Sequence, residues 1–358
     1  MKSEIQKIIE LHRQFWSGEI MAHPLAAFRI APDFFFSTHI NASRTLLVPG
    51  QEITPKMIDV DAFLDDYKRA AQEIEQIGQD AFWVAEPFVG FPWMEAICGC
   101  SVFATENSFI SHPCLSSVQE HNKVAVNDEN LWLEKYMEFT TKLIDLFKGK
   151  YSIGQPITRG ITDVVGALIG QTEMVFAIYD YPDETKLLMS KVADVFLKVI
   201  KKQQDLISSV YGGYSMGFYH LWSPGKCMWF QEDLTSLISP AQYREFVKKL
   251  HIEICSHFDY TAIHMHSSSF HLLDEILDID RLKVIEINKD IGGLTIEQMI
   301  PVFKKVQDKG KKLIIWGDIN QTDIDMIKDN LQMKGLHFNI IAPDVSVAKE
   351  LSQYIRKQ

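Results

Sequence analysis

The feature that most constrains this chain is an alternation of short apolar runs with longer amphipathic stretches. Short runs of period two read as strands, and longer stretches of period near 3.6 read as helices. Strands are expected at Phe28–Ala31, Ala81–Pro87, Ser152–Ile157, Tyr214–His220, Tyr260–His266, Lys283–Asn288, Lys312–Asp318 and His337–Ala342. Helical patterns cover Val60–Gln76, Asn130–Phe147, Asp183–Val210, Pro240–His257, Thr295–Asp308, Thr322–Leu331 and Val345–Ile355. Eight strands alternating with helices define a parallel α/β fold, and that number favours a closed (β/α)8 TIM barrel, here with an N-terminal helical extension. A doubly wound sheet is the rival, but its Gly-rich phosphate turn is missing: the chain has no G-x-G-x-x-G or Walker A sequence. Neither an internal repeat nor a Pro/Ser-rich linker divides the chain, so residues 1–358 read as one domain. Asn107–Glu129 reads as a long loop or lid.

Charge narrows the function classes. The 47 acidic against 36 basic side chains give a net charge of −11, a surface that repels phosphate backbones and anionic membranes. Nucleic acid and membrane are therefore not expected partners; a small-molecule substrate is. The first residues carry charges every few positions, without the apolar core of a signal peptide, and no apolar run approaches the ~20 residues of a membrane span. Five thinly spread cysteines argue against a disulfide framework. A cytoplasmic, thiol-reducing location is expected. Cys98-Gly99-Cys100, with Cys114 further on, lacks the second close pair that a structural zinc site needs.

Alternate residues of a barrel strand face the interior. With Thr261, Ile263 and Met265 assigned to the helix layer, Ala262, His264 and His266 point inward. The same phase turns Val284, Glu286 and Asn288 inward on the next strand, then Ile314, Trp316 and Asp318. Glu86 is inward on an earlier strand. These polar groups gather near the strand C-termini, where barrel enzymes build their sites. Ionisable groups are disfavoured in an interior unless paired or metal-bound. Two histidines two residues apart, with a carboxylate such as Glu286 nearby, suit a divalent metal, zinc or iron. A metal-free substrate-binding pair or a hydrogen-bonded structural cluster uses the same residues. Glu86, Glu286 and Asp318 are the candidate catalytic carboxylates. Ser269 is a candidate cap for the helix that follows.

Five segments carry a resemblance: Glu86–Cys100, Pro156–Gly170, Asp180–Glu184, Gln231–Val247 and His264–Asp290. In order and spacing the chain resembles the uroporphyrinogen decarboxylase-like superfamily, which includes porphyrinogen decarboxylases and methyltransferases serving corrinoid proteins and coenzyme M. The resemblance implies a (β/α)8 barrel and two activities. One is metal-assisted methyl transfer between a small methylated substrate and a corrinoid carried by a partner protein. The other is cofactor-free decarboxylation of a porphyrinogen or another aromatic acid. A non-catalytic small-molecule-binding barrel is the third reading, and a homodimer is left open.

Both branches are departed from. The decarboxylases carry Met-Arg-Gln-Ala-Gly-Arg early and Gly-His-Gly late; this chain has Phe28-Arg29-Ile30-Ala31-Pro32-Asp33 and Gly335-Leu336-His337-Phe338. A substrate rich in carboxylates wants several arginines, and Arg29, Arg44 and Arg159 are the candidates. The zinc methyltransferases use His-x-Cys and a late cysteine, whereas here His264-Met265-His266 stands in that place and no cysteine follows Cys255. Glu286 or Asp318 is the expected replacement ligand, giving a nitrogen/oxygen site suited to polarising an ether or hydroxyl oxygen. Substrate-binding candidates are Arg29, Trp93, Glu95, Arg159, Tyr219, Trp222 and Asn288. Asp163 and His220, and the neighbours Glu232 and Asp233, lie in adjoining turns.

Overall fold

A computed structural model describes residues 2–30 and 40–357. Its centre is a parallel sheet of strands β1 (Leu25–Ile30), β4 (Cys227–Gln231), β5 (Tyr260–Met265), β6 (Val284–Lys289), β7 (Lys312–Gly317) and β8 (Leu336–Ala342). These six run in the order β1-β8-β7-β6-β5-β4. A short parallel pair, β2 (Val84–Ala85) and β3 (Ser152–Ile153), lies between the two edges. The Asp80 N–H donates to Ala26 O beside β1, and beyond β3 the Gly160 N–H donates to Gln231 O on β4. The sheet is thus strongly curled. Ala31, the last residue expected in the first strand, is outside the described residues.

The period-two phase holds. Ile263, Met265, Ile285, Ile287, Leu313 and Ile315 pack outward in the large core beneath the helices. Leu25, Trp229, Ala262, Val284, Ile314 and Trp316 share a second, inner core. β-branched residues fill such a doubly covered parallel sheet because both faces are dry.

Tyr214–His220 is not a strand of the parallel sheet: Tyr214–Met216 and Leu221–Ser223 form an antiparallel hairpin. The strand in its place is β4, from the Cys227 run. Met216, Phe218, Tyr219 and Leu221 instead fill the inner core. Inward-facing β8 residues hold this insertion, His337 Nε2 donating to Tyr219 O at 3.0 Å and Asn339 Nδ2 to Phe218 O at 3.0 Å. The close approach needs glycine. A Cβ on Gly217 would lie 2.2 Å from Gln155 O, and one on Gly154 would lie 2.6 Å from Gly217 Cα.

The N-terminal helix α1 (Lys2–Ser17) covers the hairpin. Its Trp16 Nε1 donates to Trp222 O at 2.7 Å, and the Trp16 ring packs on Tyr260, the first residue of β5, at 4.5 Å. This end of the sheet, at the strand N-termini, is therefore plugged.

Helices form close to their expected spans, for example Asp61–Glu75, Leu131–Phe147 and Ile296–Asp308. Thr295 caps the last of these in a capping box with Gln298. Pro240–His257 is interrupted by a π-helical turn at Tyr243–Val247. Ser269 makes no cap; it is buried inside a 3-10 turn, Ser267–Leu272. The expected loop at Asn107–Glu129 contains a strand, Phe109–His112, paired antiparallel with Ser101–Ala104. Among the helices the sequence did not indicate are α3 (Ile161–Ile169) and Gln171–Asp180, and the short Asn41–Arg44 and Trp93–Ile97. Among the described residues, no single helix is long and apolar enough to cross a membrane.

Candidate functional site

At the strand C-termini the inward phase brings β5 and β6 together, with His264 opposite Glu286 in register. His264 Nδ1 hydrogen-bonds Glu286 Oε2, and the Tyr219 hydroxyl donates to the same oxygen at 2.8 Å. His266, one step beyond β5, places Nδ1 2.5 Å from Asp290 Oδ1, which also accepts from Asn288 Nδ2 at 2.6 Å. Both imidazoles are therefore held from behind by a carboxylate, and their Nε2 atoms converge at 2.9 Å. Asp233, in the 3-10 turn after β4, aims Oδ1 at both, 3.8 Å from His264 Nε2 and 3.6 Å from His266 Nε2. Gln231 Nε2 fixes the other Asp233 oxygen at 2.9 Å. Oδ1 itself is buried and makes no hydrogen bond.

The donors Asp233, His264 and His266 all lie within 4.8 Å of one another. Ligands at about 2.0–2.1 Å from a tetrahedral zinc sit about 3.3 Å apart, close to the three separations here. Metal-ligating histidines almost always give their other nitrogen to a carboxylate or carbonyl, as His264 does to Glu286 and His266 to Asp290. An orphaned buried carboxylate oxygen completes the match. These three residues fit a divalent ion.

Electrostatics supports the same grouping. Burial works against charge on His264, but Glu286 beside it, joined by Asp233 and Asp290, outweighs burial and raises its pKa to about 9. At neutral pH His264 then donates from both nitrogens, to Glu286 and to His266. Asp163, buried beneath Asp233, is pushed well above the carboxylate range by desolvation, then by Asp233 and Glu232. Burial and Glu286 together raise the Tyr219 hydroxyl, so it remains a donor.

Other candidates fall elsewhere. Asp318 does not join the cluster: Gly317, at φ 137°, breaks the alternation, and Asp318 is exposed with its carbonyl accepting from Lys289 Nζ at 2.7 Å. Glu286 sits behind His264, on the nitrogen facing away from His266 and Asp233. Glu86 is inward and paired with Arg29 at 2.9 Å, whose guanidinium lies 4.3 Å over the Phe218 ring. Burial raises the Glu86 pKa against the opposing Arg29 charge. Arg159 pairs with buried Glu95 at 2.7 Å and keeps 44% of its side chain exposed. Trp93 is buried, stacked on Tyr136 at 4.4 Å with Nε1 donating to Ile157 O at 2.7 Å. Trp222 lies at the plugged end, its Nε1 donating to Val210 O at 3.1 Å. Arg44 is exposed in the short helix Asn41–Arg44.

Glu232 is not solvated. It caps α3, accepting from the N–H groups of Ile161 at 2.6 Å and Thr162 at 2.8 Å, and is bonded to buried His251 at 2.8 Å. Asp290 was not singled out by sequence, although it ends a segment carrying the resemblance. A polar residue two places beyond inward Asn288 was its available signal.

No family model matches this chain, and no curated protein matches it in sequence. Among solved structures it is similar to a methyltransferase from Methanosarcina mazei, with a TM-score of 0.66 over 97% of this chain and 98% of that one, at 12% identity. At that identity the likeness is one of fold, and it extends over nearly the whole length of both chains.

Proposed function

We propose that this chain is a metal-assisted methyltransferase of the uroporphyrinogen decarboxylase-like superfamily. It moves a methyl group between a small methylated substrate and a corrinoid carried by a partner protein. The observation that carries this reading is the convergence of His264 Nε2, His266 Nε2 and the unbonded Asp233 Oδ1, with Glu286 and Asp290 behind the imidazoles. The fold likeness to a protein named a methyltransferase supports it. The proposal includes a single closed (β/α)8 domain, in which β2 and β3 complete the circle between β1 and β4.

In this reading His264, His266 and Asp233 are the ligands and zinc is the expected ion. A divalent ion held there supplies Lewis acidity toward an ether or hydroxyl oxygen. Glu286 and Asp290 fix ring orientation and tautomer, which keeps both Nε2 lone pairs aimed at one point. Asp233 offsets the charge. Tyr219 and Asn288 hold the two backing carboxylates in place. Arg159, partly exposed beside Glu95, is the nearest candidate for a polar end of the substrate. Metal binding at pH 7 must displace the His264 Nε2 proton, so about one proton is released per ion bound.

The decarboxylase reading requires Arg29 for substrate carboxylates and Glu86 for a cationic ring, yet those two groups neutralise each other. The deciding experiment incubates zinc-loaded protein with cob(I)alamin and a panel of methanol, methylamines, methyl thioethers and aryl methyl ethers. Formation of methylcobalamin, followed by absorbance and lost in His266→Ala, is the expected result. No methylation with any donor, alongside carbon dioxide release from an aromatic acid, overturns the proposal.

A further inference from the structure

Away from the metal ligands, three cysteines gather behind helix α2 (Trp93–Ile97), and the methyltransferase reading uses none of them. Cys98 and Cys100 flank Gly99 at the end of α2, and Cys100 leads directly into the strand Ser101–Ala104. That strand pairs antiparallel with Phe109–His112, Ser101 opposite His112, so the register leads Cys100 and Cys114 out at the open end of one hairpin. Gly99 adopts φ +115°, and a Cβ placed there would lie 3.6 Å from Cys114 Sγ. The turn therefore passes in contact range of the Cys114 sulfur. The Cys100 and Cys114 thiols are close enough to shift each other's ionisation. Both are also tied to the end of α3: Cys100 Sγ lies 3.5 Å from Ala167 O, and the Cys114 N–H donates to Leu168 O at 3.0 Å. Cys98 and Cys100 are buried while Cys114 is exposed.

We propose that Cys100 and Cys114 form a hydroperoxide-sensitive dithiol that closes reversibly to a disulfide. Cys114 attacks first, being the accessible sulfur. Its thiolate displaces hydroxide from hydrogen peroxide, giving a sulfenic acid, and the hydroxide takes up the thiol proton as water. The Cys100 sulfur then attacks the sulfenic sulfur, expelling a second water and forming the S–S bond. Overall, two thiols and one hydrogen peroxide give one disulfide and two waters, the thiols losing two electrons to the peroxide.

The ionisation order agrees. Interaction with the Cys100 sulfur lowers the Cys114 thiol against desolvation, while interaction with Cys114 and burial raise Cys100. Burial, with Glu95 nearby, raises Cys98, leaving it the inert third sulfur. Closure would tie the end of α2, where the Cys100 N–H donates to Glu95 O at 3.0 Å, to the neighbouring hairpin. Because Glu95 holds Arg159, the bond would reach one wall of the site.

The test is peroxide titration of the full chain, followed by alkylation and peptide mapping by mass spectrometry. A Cys100–Cys114 cross-linked peptide, reversed by dithiothreitol, absent in Cys114→Ser and retained in Cys98→Ser, is the expected result. In the reduced protein at pH 7, Cys114 should alkylate at least about 10-fold faster than Cys98 or Cys100. Oxidation that stops at sulfinic acid on Cys114, or a cross-link to Cys98 instead, overturns the assignment.

Discussion

The two ends of the curled sheet each hold a group of histidines, and they are opposites. At the plugged end His12, His220 and His337 are buried without a carboxylate partner. Desolvation lowers His12 to about 4 and the other two to about 3, so all three are neutral. At the other end His264 is as deeply buried, yet Glu286 raises it to about 9. Desolvation, aided by Arg29 and His337 beside His220 and by His12 beside His337, keeps those imidazoles low, and the acids around His264, Glu286 first among them, reverse the balance there. A buried histidine is thus not itself a site. Two histidines that are each backed by a carboxylate and converge with a third, unbonded acidic oxygen are.

If that contrast is right, damage at the two ends should show in different measurements. Replacing His264 by Ala should weaken zinc binding by about 100-fold or more, since a ligand and the Glu286 anchor are both lost. Titration calorimetry of wild type and variant measures this; equal affinities would remove His264 from the centre. Glu286→Gln keeps shape but removes the charge behind His264, and about a 10- to 100-fold loss is expected. Unchanged affinity there would mean that the carboxylate only fills space.

The plugged end should answer to acid. Its histidines have folded values below the ordinary 6.5, so the unfolded chain takes up protons that the folded chain refuses. Their contribution is intact above pH about 6.5 and is lost as pH falls toward 4 and then 3. Between pH 7 and 4.5 the metal-free protein should lose roughly 5–10 °C in Tm. His12→Leu, which also removes an unpaired Nε2, should make that decline shallower. A Tm that stays level over this range sinks the assignment of three neutral histidines. The smallest effect belongs to exposed Asp318: Asp318→Asn should change stability by less than about 0.5 kcal/mol and leave zinc affinity alone.

Much of this arrangement was legible in the chain because β5, β6 and β7 alternate cleanly, with β-branched residues outward and His264, Glu286 and Asn288 inward. The same alternation failed where local geometry intervened. Gly317 broke the phase one residue before Asp318. The Tyr214–His220 run has the apolar period of a strand because its side chains do face a core, but that core is the inside of the sheet and the segment is a hairpin within it. Missing β4 in consequence left Glu232 and Asp233 in an unspecified loop. A single 3-10 turn gives these adjacent acids opposite tasks, one capping α3 and the other facing the histidines. No residue pattern distinguishes such neighbours before the fold is known.

Asp233 is accordingly the residue on which the account turns, since it supplies the third donor and sequence alone pointed to Glu286 or Asp318. The direct measurement is zinc content after equilibrium dialysis of wild type and Asp233→Asn, with folding checked by circular dichroism. The account predicts about one zinc per wild-type chain and affinity at least about 10-fold lower in the variant. A wild-type protein that retains no zinc, iron or cobalt, or an Asp233→Asn protein that binds zinc as tightly as wild type, would contradict it.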